Sequence, residues 1–356
     1  MRLFLSRLNH FSLVSFLFIF ILGSLTLYSV APDRLNSQLQ AFLLGSLALG
    51  LLAYIDYAVY STFAKYIYIL GLGLLISTEL YGQVMYGSAR WLNIAGISFQ
   101  PSELVKLAAI IGITSLIAKD KTYLTSFKKL LILLVLALTY VFFIALQPDL
   151  GTALIVLFSI AGILFAANLN KLYFIVGLSL VGIVSNPLWS MLHDYQQKRI
   201  LVFLNPLLDT QGAGYNVLQS KIAIGAGQLF GQGLGRGSQS HLNFLPAYWT
   251  DFIFASFAEE WGFIGVAILL ALFFIFFISL LSICLKASDG FGYLLSVGIL
   301  MVFLSQFFIN IGMNLGLMPV TGIPLPFMSY GGTSLVVSMA MLGILQSVWV
   351  HRKSDK

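Results

Sequence analysis

An all-α integral membrane protein is the fold class that this sequence predicts, on three observations. The 356 residues are 59% hydrophobic and only 9% charged, against roughly a quarter charged in a soluble domain. The apolar residues fall into ten runs, most of them near the length of about 20 residues that crosses the hydrocarbon core as a helix. The polar residues collect in the connections, above all in one long segment at 187–249. The net charge of +6 does not point to nucleic acid, because lysine and arginine in a polytopic protein set its topology. A single cysteine, Cys284, excludes a disulfide framework within one chain, and His10, His193, His241 and His351 are too scattered for a metal cluster.

Taken in order, the runs are 11–30, 38–55, 62–82, 101–118, 129–146, 151–167, 172–190, 252–284, 291–315 and 331–350. The first follows Arg2 and Arg7 and has no small-residue cleavage site after it, so it reads as a retained anchor. The longest runs must tilt or leave the hydrocarbon. Ten spans put both termini on one side. With the termini in the cytoplasm, the inner loops hold Lys65, Lys119, Lys121, Lys128, Lys129, Lys171 and Lys286, and the tails add Arg2, Arg7, Arg352, Lys353 and Lys356. The outer loops hold only Arg34, Arg90, Lys198, Arg199, Lys221 and Arg236. The excess of cations inside supports that orientation, which places an extracytoplasmic loop at about 187–250 within a single polytopic domain, 1–356.

Three other outer connections carry signals. Tyr86-Gly-Ser-Ala-Arg-Trp-Leu92 leads through Gln100-Pro-Ser-Glu103 into the fourth span. In Gln147-Pro-Asp-Leu-Gly-Thr152 the proline stops one helix and Asp149 can cap the next. Met318-Pro-Val-Thr-Gly-Ile-Pro-Leu-Pro-Phe-Met-Ser-Tyr-Gly-Gly332 has too much proline and glycine for regular helix, so protein or a wet cavity must cover it. In the long loop, the glycine run from Gly225 to Gly237 lacks the strand and βαβ unit of a nucleotide fingerprint. Its glycines are expected to let the loop run close to the membrane surface, or to offer N–H groups to phosphate.

Within the spans, Glu103 and Lys106 share a helix face three residues apart. Each alone would be costly in hydrocarbon, so a mutual ion pair is expected, serving either as a structural link or as the wall of a substrate pathway. Asp251 stands at the start of a helix, where an acid can cap. Ala255, Glu259 and Gly262 follow at helical spacing, and this small and acidic face resembles a cavity wall. An ionised carboxylate there could take a proton from a sugar hydroxyl.

Together, Gly87-Ser-Ala-Arg-Trp-Leu92, Gln100-Pro-Ser-Glu103, Gln147-Pro-Asp-Leu-Gly-Thr152, Thr250-Asp-Phe-Ile-Phe254 with Glu259 and Glu260, and Pro324-Leu-Pro-Phe-Met-Ser-Tyr-Gly-Gly332 resemble the SEDS family (shape, elongation, division and sporulation) along essentially the whole chain. Pro319-Val-Thr-Gly-Ile-Pro looks closer to its elongation members than to its division members. The resemblance implies a ten-helix peptidoglycan glycosyltransferase that polymerises lipid II at the outer face of the bacterial cytoplasmic membrane. It implies that Asp251 is the catalytic aspartate and that Glu103 and Lys106 form the family's ion pair. It also implies a class B penicillin-binding protein as partner. An inverting displacement would develop charge on a pyrophosphate, for which Arg90, Lys198, Arg199, Lys221 and Arg236 are candidate contacts beside Glu259. No tightly bound cofactor is implied, although a divalent cation, Mg or Mn, could share that charge. A lipid II flippase or a scaffold of the elongation machinery are the competing readings. A flippase needs a polar route through the membrane, whereas these motifs collect on one side.

Overall fold

The computed structural model describes residues 7–352 except 86–87, 95–96, 193, 210–211 and 243. Its helices follow the apolar runs closely. They are α1 (His10–Val30), α2 (Leu35–Tyr54), α3 (Ala58–Tyr81), α4 (Pro101–Lys119), α5 (Phe127–Leu146), α6 (Leu150–Ala166) and α7 (Lys171–Ile183). After the long connection, with α8 (Asp194–Leu204) and α9 (Ala213–Ala226), come α10 (Ile253–Leu285), α11 (Gly290–Asn314) and α12 (Gly332–Val350). Eight helices are long and apolar enough to cross a membrane, and α6 and α7 are shorter apolar helices. Each of the ten expected runs holds an apolar helix, although the seventh, expected over 172–190, ends at Ile183.

Burial sorts them. α4, α11 and α12 bury most of their residues, whereas α2 and α3 bury few and α7 buries none. α2 packs along α12, α1 along α10, and α11 against both α4 and α6. Small residues let the helices close up, as membrane packing requires. A Cβ on Gly343 would stand 2.6 Å from the Leu49 carbonyl oxygen.

Three findings go beyond the sequence reading. The connection before α4 folds as a small antiparallel sheet, β1 (Gln83–Met85), β2 (Ser88–Ile94) and β3 (Ile97–Phe99), in the order β1-β2-β3. The long loop is largely helical. And α10, 33 residues long, is interrupted at Gly262, whose φ of +63° lies in the left-handed region.

The glycine run docks into that interruption. Gln232 and Gly233 donate their N–H groups to the carbonyls of Glu259 (2.9 Å) and Glu260 (3.0 Å). Phe263 and Ile264 donate to Gln228 (2.8 Å) and Leu229 (3.1 Å). Backbone freed by the break is thereby satisfied by the loop, as burial demands. The approach is too close for side chains, since a Cβ on Gly231, with φ +81°, would stand 2.1 Å from the Glu260 oxygen. The glycines therefore serve contact with α10. Gly231→Ala is expected to cost about 1–3 kcal/mol from backbone strain alone, read as a lower melting temperature with new protease cleavage in 226–236.

Candidate active site

The site is built where the chain enters α10. The segment before the helix is stitched to the proline-rich loop. Tyr330 N–H donates to the Trp249 carbonyl (3.0 Å), and Ser329 Oγ donates to that of Thr250 (2.7 Å). The Asp251 carbonyl accepts from Nδ2 of both Asn310 and Asn314 on α11, each at 3.0 Å. Asn310 also donates to the Ile323 carbonyl at 2.7 Å. These bonds set the Asp251 carboxyl against the proline-rich loop, where a Cβ on Gly322 would lie 3.4 Å from Oδ2.

The expectation that Asp251 caps the helix is corrected. Phe252 is the cap residue and no side chain caps it from there. Asp251 is half-buried as a residue, and desolvation of its carboxyl pushes it up from 3.8 to about 6, against the lowering pull of Arg199 and of the Thr250 hydroxyl. Desolvation outweighs the cation.

The basic residues separate. Arg199 on α8 lines a cleft with Val202, Pro206, Gly316, Pro319 and Val320. Lys221 on α9 lies across Gly316, where a Cβ would stand 2.6 Å from Nζ. Both therefore border the loop that faces Asp251. Lys198 pairs with Asp209 at 3.2 Å, and Arg236 is exposed on the glycine loop. The Arg90 side chain lies outside the described residues.

The face of Ala255, Glu259 and Gly262 is an interface with the long loop and not a cavity wall. Buried Glu259 accepts from Gln239 N–H (2.9 Å), Ser240 N–H (3.3 Å) and Ser240 Oγ (3.1 Å), fixing the turn at Ser238–His241. The polar groups on that turn face α10, so the carboxylate is drawn to them and away from Asp251. Glu260 is bonded to Ser29, the Gly235 N–H and His241 Nε2. The expected pair stands, with Lys106 Nζ 2.9 Å from Glu103 Oε2 and both residues buried. Asp149 caps α6, accepting from Thr152 N–H at 3.1 Å.

Sequence reasoning missed Asn310, Asn314, Gln38 and Arg34. Gln38, buried on α2, donates to the Ser329 carbonyl and accepts from the Gly331 N–H, each at 3.2 Å. The Arg34 guanidinium stacks on Trp249 (4.5 Å) and Tyr330 (5.3 Å). Amide side chains inside apolar runs were the available signal. Among the described residues no three His, Cys, Asp or Glu side chains gather as a metal site. A divalent cation at Asp251 would have to complete its shell with substrate oxygens, a donor set that suits magnesium.

A family model described as cell cycle protein, covering FtsW, RodA and SpoVE, matches residues 1–354. The peptidoglycan glycosyltransferase MrdB of Escherichia coli strain K12 is 41% identical over 316 residues, which are 87% of this chain and 85% of that protein. Stage V sporulation protein E of Bacillus subtilis is 36% identical over 313 residues, 86% of this chain and 84% of its own. Among solved structures, a chain of a peptidoglycan synthase complex that coordinates polymerization and crosslinking matches with a TM-score of 0.83 at 30% identity, covering 97% of this chain and 98% of that one. The rod shape determining protein RodA of Thermus thermophilus matches with a TM-score of 0.73 at 27% identity, covering 97% of each. This chain belongs to the FtsW, RodA and SpoVE family, the SEDS proteins.

Proposed function

We propose that this multi-pass membrane protein is a peptidoglycan glycosyltransferase of cell elongation. It extends glycan strands from lipid II at the outer face of the cytoplasmic membrane, beside a class B penicillin-binding protein that crosslinks them. The observation that carries this is the Asp251 carboxyl. It is released from capping, set at the end of the bundle and raised to about 6. A base that titrates there is ionised at neutral pH, yet more basic than an ordinary carboxylate.

In the reaction, Asp251 accepts the proton of the acceptor GlcNAc 4-hydroxyl while that oxygen attacks the anomeric carbon of the donor MurNAc. The bond from that carbon to the α-linked pyrophosphate breaks, polyprenyl pyrophosphate leaves with the electron pair, and a β-1,4 bond forms. Arg199 and Lys221 border the same loop and offset the charge that develops on the leaving group. The guanidinium suits a pyrophosphate. A transporter is less well supported, because the Glu103–Lys106 pair lies in the first turns of α4, at the same end of the bundle as Asp251.

Purified protein given lipid II, with and without its transpeptidase partner, is expected to make glycan strands. Lipid movement across vesicles without polymer would favour the transporter. For topology, a cysteine replacing the exposed Ser238 is expected to react with a membrane-impermeant thiol reagent in intact spheroplasts, with little background from buried Cys284. Reaction only after permeabilisation would reverse the orientation.

A further inference from the structure

We infer that Asn310 and Asn314 are positioning residues: both hold the Asp251 carbonyl, and Asn314 also caps α10 from a neighbouring helix and so releases the Asp251 carboxylate for proton transfer. The inference rests on Asp251 being the base.

A helix start exposes N–H groups that need acceptors, and an aspartate at hand normally supplies one. Here Asp251 is at hand and does not. The Ala255 N–H is shared instead between the Phe252 carbonyl at 3.0 Å and Asn314 Oδ1 on α11 at 3.2 Å. Ala255 is the third helical residue, which a capping side chain ordinarily serves. The same amide's Nδ2, with that of Asn310, holds the Asp251 carbonyl.

Both asparagines are wholly buried, and their remaining bonds reach the other parts of the site. Asn310 holds the Ile323 carbonyl beside Gly322. Ser220, next to Lys221 on α9, donates to the Asn314 backbone carbonyl at 2.8 Å and reaches its side-chain Oδ1 at 3.4 Å. One pair of amides thus ties together the entry to α10, the proline-rich loop and the helix that carries Lys221. Without Asn314, the Asp251 carboxylate, four positions before Ala255 in the chain, is left to compete with the Phe252 carbonyl for that N–H. Capping would turn it from the substrate and favour its ionised form. The charged groups on the surrounding elements are Arg199 on α8, Lys221 on α9 and Arg34 before α2, which stacks on Trp249 and Tyr330. α11 and residues 315–331 contain none.

The test uses the full chain with its transpeptidase partner and lipid II. Asn314→Ala is expected to lower kcat roughly 10–100-fold, as displacement of a reacting group does, with KM little changed. The acid limb of its pH-rate profile is expected to move below about 6. Asn310→Ala leaves the Ala255 acceptor in place, so its kcat falls without a shift of the limb. Infrared titration of the Asp251 carboxyl, as a difference against Asp251→Asn, is expected to follow the limb in each variant. Should Asn314→Ala fail to fold, Asn314→Ser, too short to reach, is expected to show the same shift. A slower Asn314 variant whose limb and carboxyl titration stay in place would overturn the inference alone. Full polymerisation by Asp251→Asn would remove the base assignment and the inference with it.

Discussion

Asp251→Asn is expected to lower glycan polymerisation by about 10²–10⁴-fold, the usual worth of a general base, while making the protein more stable at neutral pH. The two effects have one cause. Burial raises the folded carboxyl from 3.8 to about 6, so the fold favours the protonated form. The corresponding stability is complete below the unfolded value and is lost as pH rises through about 6. Asparagine keeps the shape of the protonated acid at every pH. The variant therefore gains about 3 kcal/mol above pH 6 and nothing near pH 3. Thermal melts at the two extremes, beside a polymerisation assay at neutral pH, check both parts. A variant that is inactive but less stable at neutral pH would show that the carboxylate also holds the fold. One that polymerises normally would return Asp251 to a structural role.

The second large effect concerns the intramembrane pair. Glu103→Ala or Lys106→Ala each leaves its partner as an uncompensated buried charge, at a cost of about 3–5 kcal/mol. Removing both leaves no such charge, so the double variant is expected to melt above either single one. The coupling arises because the 2.9 Å contact is desolvated on both sides, where attraction is little screened. Simple additivity of the shifts in a double-mutant cycle would show that the two charges do not sense each other.

The spans were legible because in lipid an apolar run and a helix are nearly the same statement. The pair was legible for a similar reason, since two opposite charges one helical turn apart in hydrocarbon have little choice but each other. The three short strands were not, because 3–7 residues of alternating character between two apolar runs look like any connection. The docking of Gly231 on Glu260 was equally hidden. The glycines announce a close approach without saying to what. Asp251 shows the limit best. Local chemistry offers it as its own helix's cap, and only the fold brings Asn314, 59 residues beyond Ala255, to take that place. The role proposed for it as a base came from the motifs that resemble a family.

The isolation of α7 has a consequence for the membrane itself. No residue of this helix is buried against its neighbours, so lipid chains form most of its surroundings. Its 13 residues rise about 20 Å, against a hydrocarbon core of about 30 Å. Such a mismatch is met by local thinning, tilt or recruitment of the adjoining turn at Ser185–Met191. The depth of α7 is thus a property of bilayer thickness more than of side-chain contacts. Arg199, on the next long helix of the chain, is held instead by the segment at Pro206–Asp209, by α9 and by the proline-rich loop, so the site is anchored independently of the depth of α7.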